Sequence, residues 1–306
     1  MIQNLFLVFF CFLLCKMLWL LKISSSNIQN YLNSSETYAL VTGADGGLGK
    51  CFCEELAKAG YNLVLTSENE KSLVELSNNI KSMYGVKTRI ITLDLINNFD
   101  KIKKEIFDNI FNLDIGVFVN NVGIMSKSLD HFHEHNDLSI LNILKINVLS
   151  TTLMNKYAIQ HLLRRKFGKG AIINVGSSLG HLITPRLCTY SSSKSYISHF
   201  TEILQSEYKN QIDFLNIAPG QLNTNLTSPF ITKISSRIKL FNICNSIMTP
   251  SPDVVVHESL KRIGVITRTN PYVFHYLQEH FGTSTSFGKW MWVWFSNHLL
   301  SHIQKI

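Results

Sequence analysis

Thr42-Gly43-Ala44-Asp45-Gly46-Gly47-Leu48-Gly49 follows directly on the apolar run Tyr38–Thr42 and opens a stretch with apolar residues at Leu48, Phe52, Leu56 and Ala59. That spacing is one face of a helix, and Gly60 is placed to end it. The order strand, glycine turn, helix gives each glycine a separate use. Gly43 permits a tight turn, Gly47 lets the backbone approach a pyrophosphate, and Gly49 lets the helix pack close to the strand. The helix start, with Leu48 in its first turn, offers N–H groups and a positive dipole end to phosphates. A glycine cluster alone is weak; its position between strand and amphipathic helix is the context that gives it meaning.

The pattern then repeats. Residues 63–65, 89–93, 115–119, 171–175 and 214–218 are short, mostly apolar runs. Between them lie helical stripes, such as Leu73, Leu76, Ile80 and Met83, or Phe99, Ile102, Ile106 and Ile110. Strands that are apolar throughout and alternate with helices imply an α/β fold: a Rossmann-type, doubly wound parallel sheet in a single domain. Such sheets take ligands beyond the carboxyl ends of their strands. Residues 27–37 are polar and read as a linker, dividing an anchor-and-linker segment, residues 1–35, from a domain over residues 36–306.

Of the 306 residues, 45% are hydrophobic and 16% charged, enough apolar surface for a large core and too much for a disordered chain. The net charge of +8 is spread over helical stretches with no nucleic-acid-binding motif, so nucleic acid is not expected as a partner. The six cysteines lack metal or disulfide spacing, which suits reduced thiols in a cytosol-facing domain. His131, His133 and His135 alternate in a segment expected to be a solvated loop or substrate lid rather than a metal site; no metal is expected. Residues 5–21 are apolar apart from Lys16, the lower limit for crossing a bilayer, and read as a retained N-terminal membrane segment, with a cleaved signal peptide as the alternative.

The TGxxxGxG pattern resembles the short-chain dehydrogenase/reductase family, and the resemblance continues to about Gly264. Asp94 sits where that family has an adenine-contacting acid. Asn120-Asn121-Val122-Gly123 is similar to its NNAG motif, with Asn121 on the cofactor side. Pro219-Gly220 and Thr224 are similar to its PG motif and nicotinamide-amide contact. Tyr190 and Lys194 stand as YxxxK, one helical turn apart on one face. A phenol with an ordinary pKa near 10 is a poor catalyst at neutral pH, and a nearby ammonium lowers it. The resemblance implies that Lys194 also binds the nicotinamide ribose. It further implies that Ser177, thirteen residues before Tyr190, hydrogen-bonds the substrate carbonyl, and that Asn147 positions a proton-relaying water.

Three features narrow the resemblance: the hydrophobic N-terminus, Val122 within NNVG, and the tail Phe287-Gly288-Lys289-Trp290-Met291-Trp292-Val293-Trp294-Phe295. Together they resemble the 17-beta-hydroxysteroid dehydrogenase type 3/type 12 branch, which includes the very-long-chain 3-oxoacyl-CoA reductases. The implied activity is NADPH-dependent reduction of a lipid keto group, most like a 3-oxoacyl-CoA, with a keto-steroid as the alternative. A catalytically silent dinucleotide-binding membrane scaffold is the reading of another class; an inactive relative in the branch has Phe at the position of Tyr190. The implied setting is the endoplasmic reticulum membrane with the domain facing the cytosol, and self-association into a homo-oligomer stays open. Two positions depart from the branch. Gly176 stands where it usually has Ser. Glu68, beside Ser67, stands where NADP-preferring relatives carry Arg, so an acid there leaves NAD as an alternative cofactor.

Overall fold

Runs that are apolar at every position become strands with both faces covered. The computed structural model describes residues 27–126, 128–166, 168–222 and 249–304. Its strands are β1 (Tyr38–Thr42), β2 (Asn62–Ser67), β3 (Thr88–Thr92), β4 (Ile115–Asn120), β5 (Gly170–Val175), β6 (Ile212–Ile217) and β7 (Arg268–Thr269). They form one seven-stranded parallel sheet in the order β3-β2-β1-β4-β5-β6-β7. β2, β4 and β5 are buried throughout, while β3, at one edge, is mostly not.

The helices are α1 (Gly47–Lys58), α2 (Glu70–Tyr84), α3 (Asp137–Ile143), α4 (Thr151–Leu162), α5 (Cys188–Tyr208), α6 (Pro252–Leu260), α7 (Val273–Ser284) and α8 (Ser286–Gln304). One core, around Phe52, Leu56, Tyr61 and Leu73, packs α1, α2 and α6 on one face of the sheet. A second, around Ile106, Phe118, Met154 and Phe214, packs α4 and α5 on the other. β1 pairs with β2 on one side and β4 on the other, so strand order reverses there. The glycine turn and the Asn120–Gly123 segment leave the two strands flanking this switch point, where a ligand crevice opens.

Three elements differ from the sequence reading. Residues 27–37 are not a free linker. Ile28 and Tyr31 are buried in the core, the Tyr31 hydroxyl donates to Asp213 Oδ2 at 2.9 Å, and Arg165 Nη2 donates to the Tyr31 carbonyl at 2.7 Å. Two apolar side chains among polar neighbours suffice to dock a short turn. The third apolar stripe buries Ile102, Ile106 and Ile110 but forms short turns, including a widened one at Lys103–Phe107, rather than a regular helix. Strict four-residue spacing drifts around a 3.6-residue helix, and a widened turn returns the side chains to one face. β7 has only two residues, too short for any periodicity. The apolar run at residues 5–21 lies outside the described residues; among those described, no helix is long and apolar enough to cross a membrane.

Candidate active site

At the carboxyl ends of the strands a cleft of about 660 Å³ runs from the glycine turn past Tyr190 to α8. Its floor is set by close backbone approach. Gly43 has φ +59°, a left-handed conformation that favours glycine. A Cβ on Gly49 would lie 2.0 Å from the Gly43 carbonyl oxygen, so α1 can meet the turn only without a side chain there. No side chain caps the start of α1, and Gly46, Gly47 and Leu48 line the cleft. A bare helix N-terminus beside a glycine cradle fits the phosphates of a dinucleotide.

The turn is braced from β4. Thr42 Oγ1 accepts from the Asn121 and Val122 backbone N–H groups at 2.9 and 3.2 Å. Asn121 Nδ2 donates to the carbonyls of Thr42 and Gly43, both at 3.0 Å. The Asn121 side chain thus ties strand to turn while lining the cleft. Asn120 turns the other way in function: its Nδ2 donates to Asn174 Oδ1 at 2.8 Å inside the sheet's helical cover. Ser67 and an exposed Glu68 wall the cleft at the end of β2. Asp94 does not line it, although Leu93, Leu95 and Ile96 do. Its carboxylate accepts from Ile96 N at 2.8 Å and Asn97 Nδ2 at 2.6 Å, closing its own turn. Desolvation pushes the Asp94 pKa up, and these hydrogen bonds outweigh it and hold the group below the usual range. Thr224 lies outside the described residues.

Tyr190 and Lys194 share the buried face of α5. Burial raises the Tyr190 phenol above its ordinary pKa, while a hydrogen bond with the Ser177 side chain pulls it down. Lys194 Nζ donates to the Val175 carbonyl at 2.9 Å and lies 5.8 Å from the Tyr190 ring centroid. Burial pushes the lysine down to about 8. In this arrangement the amine is turned toward the end of β5.

Asn147 is fully buried in a widened turn, Leu144–Ser150, that joins α3 to α4. Such turns interrupt helices frequently at functional sites. Its Oδ1 accepts from Ile124 N, and its Nδ2 donates to the Ile124 carbonyl and Ser193 Oγ, each at 2.9 Å. A Cβ on Gly123 would lie 2.9 Å from Lys194 Nζ and 3.5 Å from Asn147 Oδ1, so the NNVG glycine leaves room where these two converge. Gly176 has a local reason as well: a Cβ there would lie 2.6 Å from Asn216 Oδ1.

Of the two neighbouring serines, Ser177 reaches Tyr190, while the Ser178 N–H donates to the Pro219 carbonyl at 2.9 Å. Pro219 and Gly220 line the cleft opposite the glycine turn. The substrate end is walled by Met125, Leu129, Leu187, Trp292, Phe295 and Leu300. α8, which holds the aromatic tail, carries its Trp292 face into the cleft. His131, His133 and His135 lie in an exposed to half-exposed segment, with the His131 and His133 rings stacked at 6.0 Å. Among the described residues, no cluster of His, Cys, Asp or Glu could hold a metal ion.

Residues 37–234 match the family described as short chain dehydrogenase. The chain is 32% identical over 269 residues to the inactive hydroxysteroid dehydrogenase-like protein 1 of Homo sapiens, covering 88% of this chain and 77% of that one. It is 35% identical over 244 residues to the very-long-chain 3-oxoacyl-CoA reductase of Rattus norvegicus, covering 78% and 72%. Among solved structures it resembles one described for 7beta-hydroxysteroid dehydrogenase stereoselectivity, with TM-score 0.75, 20% identity and coverage of 85% and 96%. It also resembles the 3-oxoacyl-[acyl-carrier protein] reductase from Brucella melitensis in complex with NAD, with TM-score 0.68, 18% identity and coverage of 77% and 94%. At those identities the structural likeness speaks to the fold alone. Family match, sheet order and the convergence of Ser177, Tyr190 and Lys194 beside a glycine cradle lead to one assignment: the chain belongs to the short-chain dehydrogenase/reductase family and is an NAD(P)-dependent oxidoreductase.

Proposed function

We propose that this enzyme reduces the keto group of a lipid, most fittingly a 3-oxoacyl-CoA, with NADPH. The observation that carries the reading is continuity: one cleft joins the glycine cradle, the Tyr190 hydroxyl and an apolar chamber of Met125, Leu129, Leu187, Phe295 and Leu300. The rat relative's name, a very-long-chain 3-oxoacyl-CoA reductase, supports the same substrate class. When bound, the reduced dinucleotide supplies a hydride to the carbonyl carbon. Ser177 would hydrogen-bond the carbonyl oxygen, and Tyr190 would give it the proton that completes the alcohol. Lys194 and Asn147 converge at Gly123, and together they would resupply the proton to Tyr190.

A silent scaffold is the competing reading, given the relatives named inactive. The presence of Tyr190 with Ser177 and Lys194 in one cleft argues against it. The proposal extends to the endoplasmic reticulum membrane, with the catalytic domain facing the cytosol. Free thiols at Cys51, Cys53 and Cys188 suit a reducing compartment. Phe287, Trp290 and Trp294 stand exposed on α8, a suitable surface for a lipid interface. Turnover of a 3-oxoacyl-CoA series against a keto-steroid series, each with NADPH and NADH, tests the reading. Faster reduction of long acyl chains with NADPH is expected. Indifference to chain length, with strong activity on a keto-steroid, would overturn it.

A further inference from the structure

We infer that His275, in the C-terminal extension, is a positioning residue for the cofactor turn Pro219-Gly220. The inference rests on the reading that this cleft takes a nicotinamide dinucleotide. It concerns α7, which lies beyond the residues matched to the family.

The Gly220 backbone N–H donates to His275 Nδ1 at 3.0 Å. A Cβ built on Gly220 would lie 2.5 Å from His275 Cδ2 and 2.6 Å from Cγ. The imidazole therefore lies against the backbone of the turn, in space that any other residue at position 220 would fill. His275 itself is 1% exposed, and its ring meets that of Tyr272 edge-on at 5.1 Å. Because a backbone amide can only donate, Nδ1 must accept, and the neutral ring must carry its proton on Nε2.

α7 is fixed independently of this bond. Glu279, one turn after His275 on the same buried face, pairs with Arg268 of β7 and accepts from Asn270 Nδ2 at 3.2 Å. The rest of the turn is held from other directions. The Ala218 N–H donates to the Thr269 carbonyl at 2.8 Å, and the Pro219 carbonyl accepts from Ser178 N at 2.9 Å. Ser178 follows the serine that reaches Tyr190. Among the described residues one turn is thus bound to β7, to the Ser177 loop and to α7, and of these three bonds the one to α7 goes through a side chain. Replacing that side chain by one without an acceptor leaves a half-buried amide unpaired, free to reorient where the dinucleotide docks.

Asn and Leu have nearly the same shape, so His275→Asn and His275→Leu lose similar packing and differ in the acceptor. Full-length protein of each is compared with wild type for NADPH and NADH dissociation constants, by nicotinamide fluorescence, and for cofactor KM against kcat. Thermal midpoints of the two variants should agree. His275→Asn should hold the cofactor within about threefold of wild type, and His275→Leu should weaken it roughly tenfold. Equal affinities in the two variants would overturn the inference. Failure of the wild type to bind dinucleotide would instead overturn the reading of the cleft. Should either variant fail to fold, ¹⁵N NMR of the wild-type imidazole decides. An Nε2–H ring whose Nδ1 signal moves on adding cofactor supports the role, and an Nδ1–H ring or an unmoved signal overturns it.

Discussion

Lys194 donates from Nζ to the carbonyl oxygen of Val175, 2.9 Å away, which ties the Tyr190 helix to the end of β5. The cost of burying this amine can be measured. Its pKa is pushed from 10.5 down to about 8 by burial. An unfolded lysine keeps its proton up to about pH 10.5, while the folded one releases it near 8. Between those values the unfolded state binds more protons, so stability should rise with pH; below 8 the full cost is present. Lys194→Met removes that cost, and should stabilise the cofactor-free protein at pH 7 by on the order of 3 kcal/mol while abolishing turnover. Denaturant unfolding at pH 7 and pH 10 checks this: the gain should shrink at the higher pH.

Tyr190→Phe removes the transferable proton and the hydroxyl that meets Ser177. Turnover should fall by about 10²–10⁴-fold, with cofactor affinity nearly intact, because general acid catalysis is lost and the cradle is untouched. Steady-state kinetics with a dinucleotide titration separate the two effects, and a variant as active as wild type would remove Tyr190 from the mechanism.

Glu68 is exposed at the rim of the cleft where β2 ends. An acid there repels a 2′-phosphate if the dinucleotide lies along the glycine turn. Glu68→Arg should raise kcat/KM for NADPH relative to NADH, by roughly tenfold if one repulsion becomes one attraction. A ratio that does not move would show that the residue points away from the 2′ position.

Topology carries its own reporter. Asn33, in the sequon Asn33-Ser34-Ser35, is exposed and would be open to glycosylation in a lumen. Under the proposed cytosolic orientation it should carry no glycan on protein made in a eukaryotic microsomal system, and protease added to sealed microsomes should digest the domain. A glycosidase-sensitive mass shift removed by Asn33→Gln would place the domain in the lumen.

Local signals in the sequence were sufficient for several features. Fully apolar runs alternating with helical stripes implied a parallel sheet, because burial on both faces leaves no room for polar alternation. The glycine turn was legible because a close approach of helix to strand excludes a Cβ, as Gly49 against Gly43 shows. Tyr190 and Lys194 were legible as a pair because one helical turn separates them. Features that depend on distant residues had no such signature. Nothing around Tyr31 shows that it will reach Asp213, nor around Gly220 that His275 will cover it. Nor does the sequence around Asp94 show that its carboxylate will also brace the turn it starts. The tail's aromatic run is divided by the fold: the packing of α7 against α8 brings Trp292 into the cleft and leaves Trp290 and Trp294 outside it. Periodicity encodes which side of an element is apolar, and only the folded chain decides which partner that side meets.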